Sequence, residues 1–137
     1  MEEDFSSLMH LPPLILQIIR RDDASVYQSI SDLNIVTFFS VSWILTWCAS
    51  DVLDYRRLRP LFRFLESQRP IAVLYFAAAL PLMRRAEISC WQGDSNDLYH
   101  LLRTLPEETD FEEAVRVTVN LMKRHPPSSI DLSSLKG

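Results

Sequence analysis

Residues 70–83, PIAVLYFAAALPLM, contain no charged side chain. A helix on the surface of a protein has one apolar stripe and one polar face, so a helix without a polar face is central and buried. We therefore predict that Pro70 opens a buried helix. Pro81 cannot donate a hydrogen bond to the Ala77 carbonyl, which predicts a kink in this helix. Residues 38–47 are similarly apolar and predict a second buried helix.

Length and composition indicate one helical domain. The chain has 137 residues and is 47% hydrophobic, which is enough for one sizeable core. Its two glycines, Gly93 and Gly137, are too few for the turns of a sheet protein, and its eight prolines divide it into short helices. We predict an all-α fold, a short-helix array with a single helical domain over residues 1–127 and a flexible polar tail over 128–137.

Four further segments carry apolar residues at helical spacing and polar residues elsewhere. Asp23, Asp110 and either Asp94 or Ser95 are placed to cap the helices that follow them. Pro106 is predicted to stop the third of these helices. The apolar positions are Leu14, Ile15, Ile18 and Ile19; Leu58, Leu61, Phe62 and Leu65; Leu98, Leu101, Leu102 and Leu105; and Phe111, Ala114, Val115, Thr118, Leu121 and Met122.

Charge and cysteine content restrict the partners and the compartment. The 14 basic and 18 acidic residues give a net charge of -4, which disfavours nucleic acid and anionic lipid as partners. Cys48 and Cys90 have no neighbouring cysteine, so we predict reduced, packed thiols. Residues 1–4 are acidic, unlike a secretory signal, and the apolar stretches 35–49 and 71–83 are shorter than the roughly 20 residues of a transmembrane helix. We expect a cytoplasmic protein without a transmembrane segment.

The sequence contains no recognisable catalytic constellation. His10, His100 and His125 have no cysteine or carboxylate at metal-ligand spacing. A glycine-rich phosphate loop and a serine-nucleophile motif are both missing. The carboxylate pair Asp22-Asp23 is predicted to lie at a helix start, where negative charge favours the helix dipole. We therefore expect no catalytic residue, no metal and no cofactor, and a protein that acts by binding rather than as an enzyme.

Four arginines within eight residues form the most pronounced charged feature: Arg56, Arg57, Arg59 and Arg63. They alternate with the apolar positions of an amphipathic helix, which places them on its outer face. Two interpretations are open, a solvated helix face or a surface for an acidic partner.

Phe39, Trp43 and Trp47 form a row of aromatic residues at every fourth position. Residues with this spacing lie on one side of a helix. The row is part of the core in one interpretation and a groove for a partner in the other.

Several of these segments together resemble one protein family. Their order and spacing are similar to the C-terminal half of the TBC domain of Rab GTPase-activating proteins, and especially to the endoplasmic-reticulum branch of that family. The resemblance covers residues 14–128 and implies a fold like the C-terminal subdomain of the TBC domain. The matching residues are Phe39 to Trp47, Asp54-Tyr55-Arg56, Pro70, Tyr75-Phe76-Ala77-Ala78, His100-Leu101-Leu102, Leu105-Pro106 and Pro126-Pro127-Ser128, with Phe39, Trp43, Trp47, Asp54, Tyr75 and Phe76 as the structural motif.

In that family an arginine from an I-x-x-D-x-x-R segment and a glutamine from a Y-x-Q segment enter the nucleotide site of the GTPase. Neither segment occurs in these 137 residues. Asp54 to Arg57 imitates D-x-x-R without the required isoleucine, and Tyr27-Gln28 lacks the intervening residue. Both segments belong to the N-terminal half of the family's domain, so the resemblance implies a half-domain that is inactive alone. Arg63, which replaces an acidic residue of many members, and Pro81 depart from the family pattern.

Three functions are consistent with the sequence. The first is a TBC-family Rab GTPase-activating protein of endoplasmic-reticulum-to-Golgi vesicle traffic, represented by its C-terminal half. The second is a non-catalytic helical module that binds a small GTPase or another partner, and the third is an unrelated helical scaffold. A half-domain exposes an apolar face, which predicts either a homo-oligomer or a partner-bound state. The family branch has a membrane anchor that this sequence lacks, so we expect a partner to hold the protein at the cytosolic face of the endoplasmic reticulum.

Overall fold

The computed structural model describes residues 11–30, 55–68, 71–91, 94–126 and 128. Within these ranges the chain forms seven α-helices and one 3₁₀ helix and contains no strand, which confirms the predicted all-α fold. The helices are α1 (Leu11–Asp22), α2 (Ala24–Ile30), the 3₁₀ helix (Tyr55–Leu58), α3 (Arg59–Glu66), α4 (Ala72–Leu82), α5 (Arg85–Ser89), α6 (Ser95–Glu108) and α7 (Phe111–Arg124). The predicted helix over 38–47 lies outside the described residues, and the domain boundary at residue 127 stays a prediction.

Helix α4 is the centre of the described structure. Ten of its 11 residues are buried, because it has no polar face to present to water. It contacts α1, α5, α6 and α7. Pro81 lies in the last turn, and α4 ends one residue later, at Leu82. The apolar stretch therefore forms the predicted central helix, and its proline lies near the end of the helix rather than in its middle.

The surrounding helices each turn an apolar face towards this centre. The four predicted apolar positions of α1, Leu14, Ile15, Ile18 and Ile19, are all buried. In α3, Leu61 and Leu65 are buried while Arg59, Arg63 and Glu66 are exposed, as the helical spacing predicts. All the buried apolar side chains of the described residues belong to one cluster.

Three aspartates begin helices, as predicted. The Asp23 carboxylate accepts hydrogen bonds from the backbone N–H groups of Ser25 and Val26, at 3.0 and 3.3 Å. Asp94, rather than Ser95, caps α6 and accepts from the Asp97 N–H at 2.9 Å. Asp110 caps α7 by accepting from the first turn of that helix. Each carboxylate thus satisfies N–H groups that have no partner inside the helix.

The predictions for Pro106 and Cys90 are wrong. Pro106 does not stop α6, which continues to Glu108. Proline removes only its own N–H group, and its carbonyl still accepts from the Thr109 N–H at 3.4 Å while the Thr109 hydroxyl donates to the Leu105 carbonyl at 2.5 Å. Cys90 is exposed rather than packed, because it directly follows α5, a helix of one and a half turns.

Candidate functional site

Arg57 is fixed by three contacts at the junction of α6 and α7. Its Nη2 donates a hydrogen bond to the Thr109 carbonyl at 2.7 Å. Its Nη1 lies 3.6 Å from Glu107 Oε2, and its guanidinium carbon lies 5.7 Å from the centre of the Phe111 ring. The guanidinium therefore has a carbonyl, a carboxylate and an aromatic face as partners.

The core of the protein holds the partners of Arg57 in place. Phe111 is buried in the first turn of α7, and its ring packs at 6.3 Å and 31° against Phe76 of α4. Thr109 is also buried, and Asp110 between them caps α7. Because Thr109 and Phe111 are held by the core and by the start of α7, these two partners of Arg57 are preformed, whereas Glu107 is exposed.

The structure divides the four predicted surface arginines into two groups. Arg57 is half-buried and bound as described, whereas Arg56, Arg59 and Arg63 are exposed. Among the described residues, Arg59 and Arg63 have neither a carboxylate nor a hydrogen-bond partner. We call Arg59 and Arg63 the arginine pair. Of the four arginines, Arg59 and Arg63 are the two that could bind a partner without first breaking a contact within the described structure.

A cleft of about 310 Å³ lies beside the first turn of α3. Its walls carry both signs of charge, which gives it no strong preference for an anion or a cation. It is lined by Arg56, Arg57, Pro60, Thr109, Asp110, Phe111 and Glu112.

A second constellation surrounds Asp22, whose side chain is only 3% exposed. Its carboxylate accepts from Arg85 Nη2 at 2.8 Å and lies 3.1 Å from His125 Nε2 and 3.3 Å from Arg124 Nη2. Arg85 also lies 3.5 Å from Asp23. The carboxylate thus joins the end of α1 to the start of α5 and the end of α7.

The prediction that Asp22 lies at a helix start is wrong. Asp22 is the last residue of α1, where a negative charge opposes the helix dipole, and only Asp23 caps the next helix. Burial raises the pKa of Asp22, but hydrogen bonds to His125 and Arg85 and the charge of Arg124 together lower it below its ordinary value. The ionised carboxylate is a structural group here, because cationic partners from other helices surround it.

The described residues of the family motif are part of the core. Tyr75 is buried, and its hydroxyl donates to the His125 carbonyl at 2.5 Å. Burial raises the pKa of the Tyr75 phenol, which keeps the group a hydrogen-bond donor. Phe76 is buried against Phe111. The other motif residues, Phe39, Trp43, Trp47 and Asp54, lie outside the described residues.

The described residues form neither a set of metal ligands nor a membrane-spanning helix. No group of three or more histidine, cysteine or acidic side chains in the described part of the chain is arranged to hold a metal ion. None of the described helices has the length and hydropathy needed to cross a bilayer.

Two kinds of curated protein are similar to this chain. TBC1 domain family member 20 from Mus musculus is 25% identical over 130 residues, which are 95% of this chain and 32% of the relative. The protein of the same name from Homo sapiens gives the same identity and coverage. GTPase-activating protein gyp10 from Schizosaccharomyces pombe is 32% identical over 122 residues, which are 87% of this chain and 33% of the relative.

The chain therefore spans about a third of the length of these relatives. No family model matches the sequence. No solved structure matches it either.

Proposed function

We propose, from the premise that this chain is a relative of TBC-domain GTPase-activating proteins, that it binds a Rab-type small GTPase without accelerating GTP hydrolysis. The premise follows from the similarity to TBC1 domain family member 20 and gyp10, which confirms the predicted family resemblance. Binding follows from the family, because a GTPase-activating protein has to contact its GTPase.

The environment of Arg57 supports the absence of acceleration. Activation of a GTPase in trans needs an arginine that reaches the transferred phosphoryl group. The D-Y-R-R sequence that ends at Arg57 is the nearest equivalent of the family's arginine segment in these residues. The Arg57 guanidinium donates to the Thr109 carbonyl at 2.7 Å and lies beside Glu107, so insertion into a nucleotide site would break both contacts.

The place of action is a further part of the proposal. We infer a role in vesicle traffic between the endoplasmic reticulum and the Golgi, at the cytosolic face of the endoplasmic reticulum and through a partner. This part is supported by the likeness to one branch of the family. Fractionation of cells that express the chain would test it, because the protein should pellet with endoplasmic-reticulum membranes and be released by high salt.

Single-turnover hydrolysis tests the central claim. Purified Rab GTPases loaded with radiolabelled GTP are followed with and without excess chain, and binding is measured in parallel with a non-hydrolysable GTP analogue. We expect binding of at least one Rab and an unchanged rate of phosphate release. Acceleration by about a hundredfold, a modest value for an inserted arginine, would overturn the proposal.

Two variants identify the arginine responsible for any acceleration. Arg57→Ala removes the residue that imitates the family's arginine, and Arg103→Ala removes an exposed arginine of α6. If neither changes the rate and binding persists, a non-catalytic role is supported. Loss of acceleration in Arg57→Ala alone would show that the residue leaves its site to act on the nucleotide.

A further inference from the structure

We propose that the arginine pair, Arg59 and Arg63, is a docking surface for carboxylates on a protein partner. The identity of the partner as a Rab-type GTPase rests on the proposed function, but the carboxylate preference does not.

Arg59 opposes the dipole of α3, whereas Arg63 lies in the last turn, where the dipole favours a positive charge. Arg59 is the first residue of the helix, where the dipole disfavours a positive charge, and the helix has no acidic residue in its first turn. Arg63 lies four positions later, so the two like charges are neighbours on one side of the helix and repel each other. Leu58 precedes the helix and provides no side-chain cap. Two local rules of helix stability, on the dipole at Arg59 and on like charges one turn apart, are thus broken within one short segment.

Five other arginines of the described structure have their charge compensated by carboxylates. Arg103 does not in the described part of the chain, but it has no second arginine one helical turn away. Arg59 and Arg63 are exposed and lack a carboxylate partner within the described ranges. Unfavourable local electrostatics in a protein are found most often at functional sites. We therefore infer that a carboxylate of a partner compensates the charges of Arg59 and Arg63. The compensated arginines are Arg57 with Glu107, Arg84 with Glu87 and Glu108, Arg85 with Asp22 and Asp23, Arg116 with Glu113, and Arg124 with Asp22.

The surroundings favour a protein over a polyanion. Phosphate-rich partners are attracted by extended positive potential, but the whole chain carries a net charge of -4, and Glu66 is exposed on the same helix. Two guanidinium groups four positions apart fit two discrete carboxylates about 6 Å apart, such as acidic residues one helical turn apart on a partner. Pro60 and Phe62, both partly exposed, add apolar surface beside the pair.

Charge reversal tests the pair. The wild-type chain, Arg59→Glu/Arg63→Glu and Arg103→Glu are compared for binding to Rab proteins and to immobilised poly-L-glutamate. Arg103 is the matched control, since it is an exposed arginine of α6 with no ion-pair partner among the described residues. Circular dichroism establishes that each variant is folded, and Arg59→Gln/Arg63→Gln replaces the reversed pair if it is not.

We expect the reversed pair to weaken binding to both probes by at least about tenfold, with Arg103→Glu within about twofold of wild type. Binding of the wild type should also weaken as salt is raised from about 50 to about 300 mM. If no Rab binds but poly-L-glutamate does so through the pair, the docking surface stands and the proposed function fails. If a Rab binds equally to wild type and to the reversed pair, the docking surface is wrong and the proposed function stands.

Two further results would also overturn the docking surface. One is equal retention of all variants, wild type included, on poly-L-glutamate. The other is binding to phosphatidylserine vesicles that depends on Arg59 and Arg63 while poly-L-glutamate is ignored, since the ligand would then be a membrane.

Discussion

The Nε2 atom of His125 lies 3.1 Å from Oδ1 of Asp22, across 103 positions of sequence. This contact brings the last residue of α1 to the residue that follows α7. Arg85, at the start of α5, approaches the same carboxylate at 2.8 Å. Three helices are therefore joined by one buried anion rather than by apolar packing alone.

Replacement of Asp22 by asparagine is expected to lower the free energy of unfolding by about 2 kcal/mol. The amide keeps the shape but removes the charge that compensates Arg85 and Arg124. The figure is below that of a fully buried ion pair because both arginines are about half exposed. Urea unfolding measures the change.

Glu87→Gln is the control for this experiment. It removes an exposed ion pair with Arg84, for which we expect less than about 1 kcal/mol. An equal effect of the two substitutions would contradict the structural role of Asp22.

The same carboxylate predicts a specific dependence on pH. The pKa of Asp22 is lowered in the folded chain from an ordinary value of 3.8, so below that value the unfolded chain binds the proton more readily. The stabilisation by Asp22 is therefore fully present above about pH 5 and is lost as the pH falls through the lowered pKa. The difference in unfolding free energy between wild type and Asp22→Asn should be constant from about pH 5 to 7 and shrink below about pH 4. If the difference in unfolding free energy between wild type and Asp22→Asn grows on acidification, the lowered pKa of Asp22 is disproved.

Arg57→Lys tests the site at the junction of α6 and α7. Lysine keeps the charge but loses the planar group that donates to the Thr109 carbonyl and stacks on Phe111, so we expect a loss of about 1 kcal/mol. Arg59→Lys, which changes an exposed arginine of the pair, should have almost no effect on stability. Thermal unfolding of both variants makes the comparison, and equal melting temperatures would mean that Arg57 is not bound as described.

Tyr75→Phe removes the hydroxyl that donates to the His125 carbonyl at 2.5 Å. The carbonyl is partly buried and would lose its donor, for which we expect a cost of about 1 kcal/mol in unfolding free energy. Tyr27→Phe on α2 is the comparison, because that ring is partly exposed and its contact with Arg20 is through the aromatic face. A smaller loss for Tyr75→Phe than for Tyr27→Phe would refute the importance of this hydrogen bond.

The parts of the fold that the sequence predicts correctly depend on local physics. The apolar stretch around Tyr75 and the caps at Asp23 and Asp110 are determined by residues within one or two helical turns. The prediction that Pro106 ends α6 is wrong because proline breaks a helix in its interior, whereas only two residues of α6 follow Pro106.

The parts that the sequence does not predict depend on contacts between distant residues. Arg57 and its acceptor Thr109 are 52 positions apart, and Asp22 and His125 are 103 positions apart. The sequence pattern groups Arg57 with Arg59 and Arg63 among the polar positions, and only the tertiary structure reveals that Arg57 is bound. The family resemblance is predictable from the sequence because it depends on the order of short motifs and not on these distant contacts.

The three consecutive alanines of α4, Ala77 to Ala79, are all buried between helices. Alanine has no side-chain torsion to adjust, so the spacing of α4 from its neighbours is a rigid dimension of the molecule. Longer side chains in the outer helices are able to adapt to substitution by changing rotamer. Substitutions should therefore be tolerated in the outer helices. Larger side chains should not be tolerated at Ala77 to Ala79, where an added methyl group would have no room.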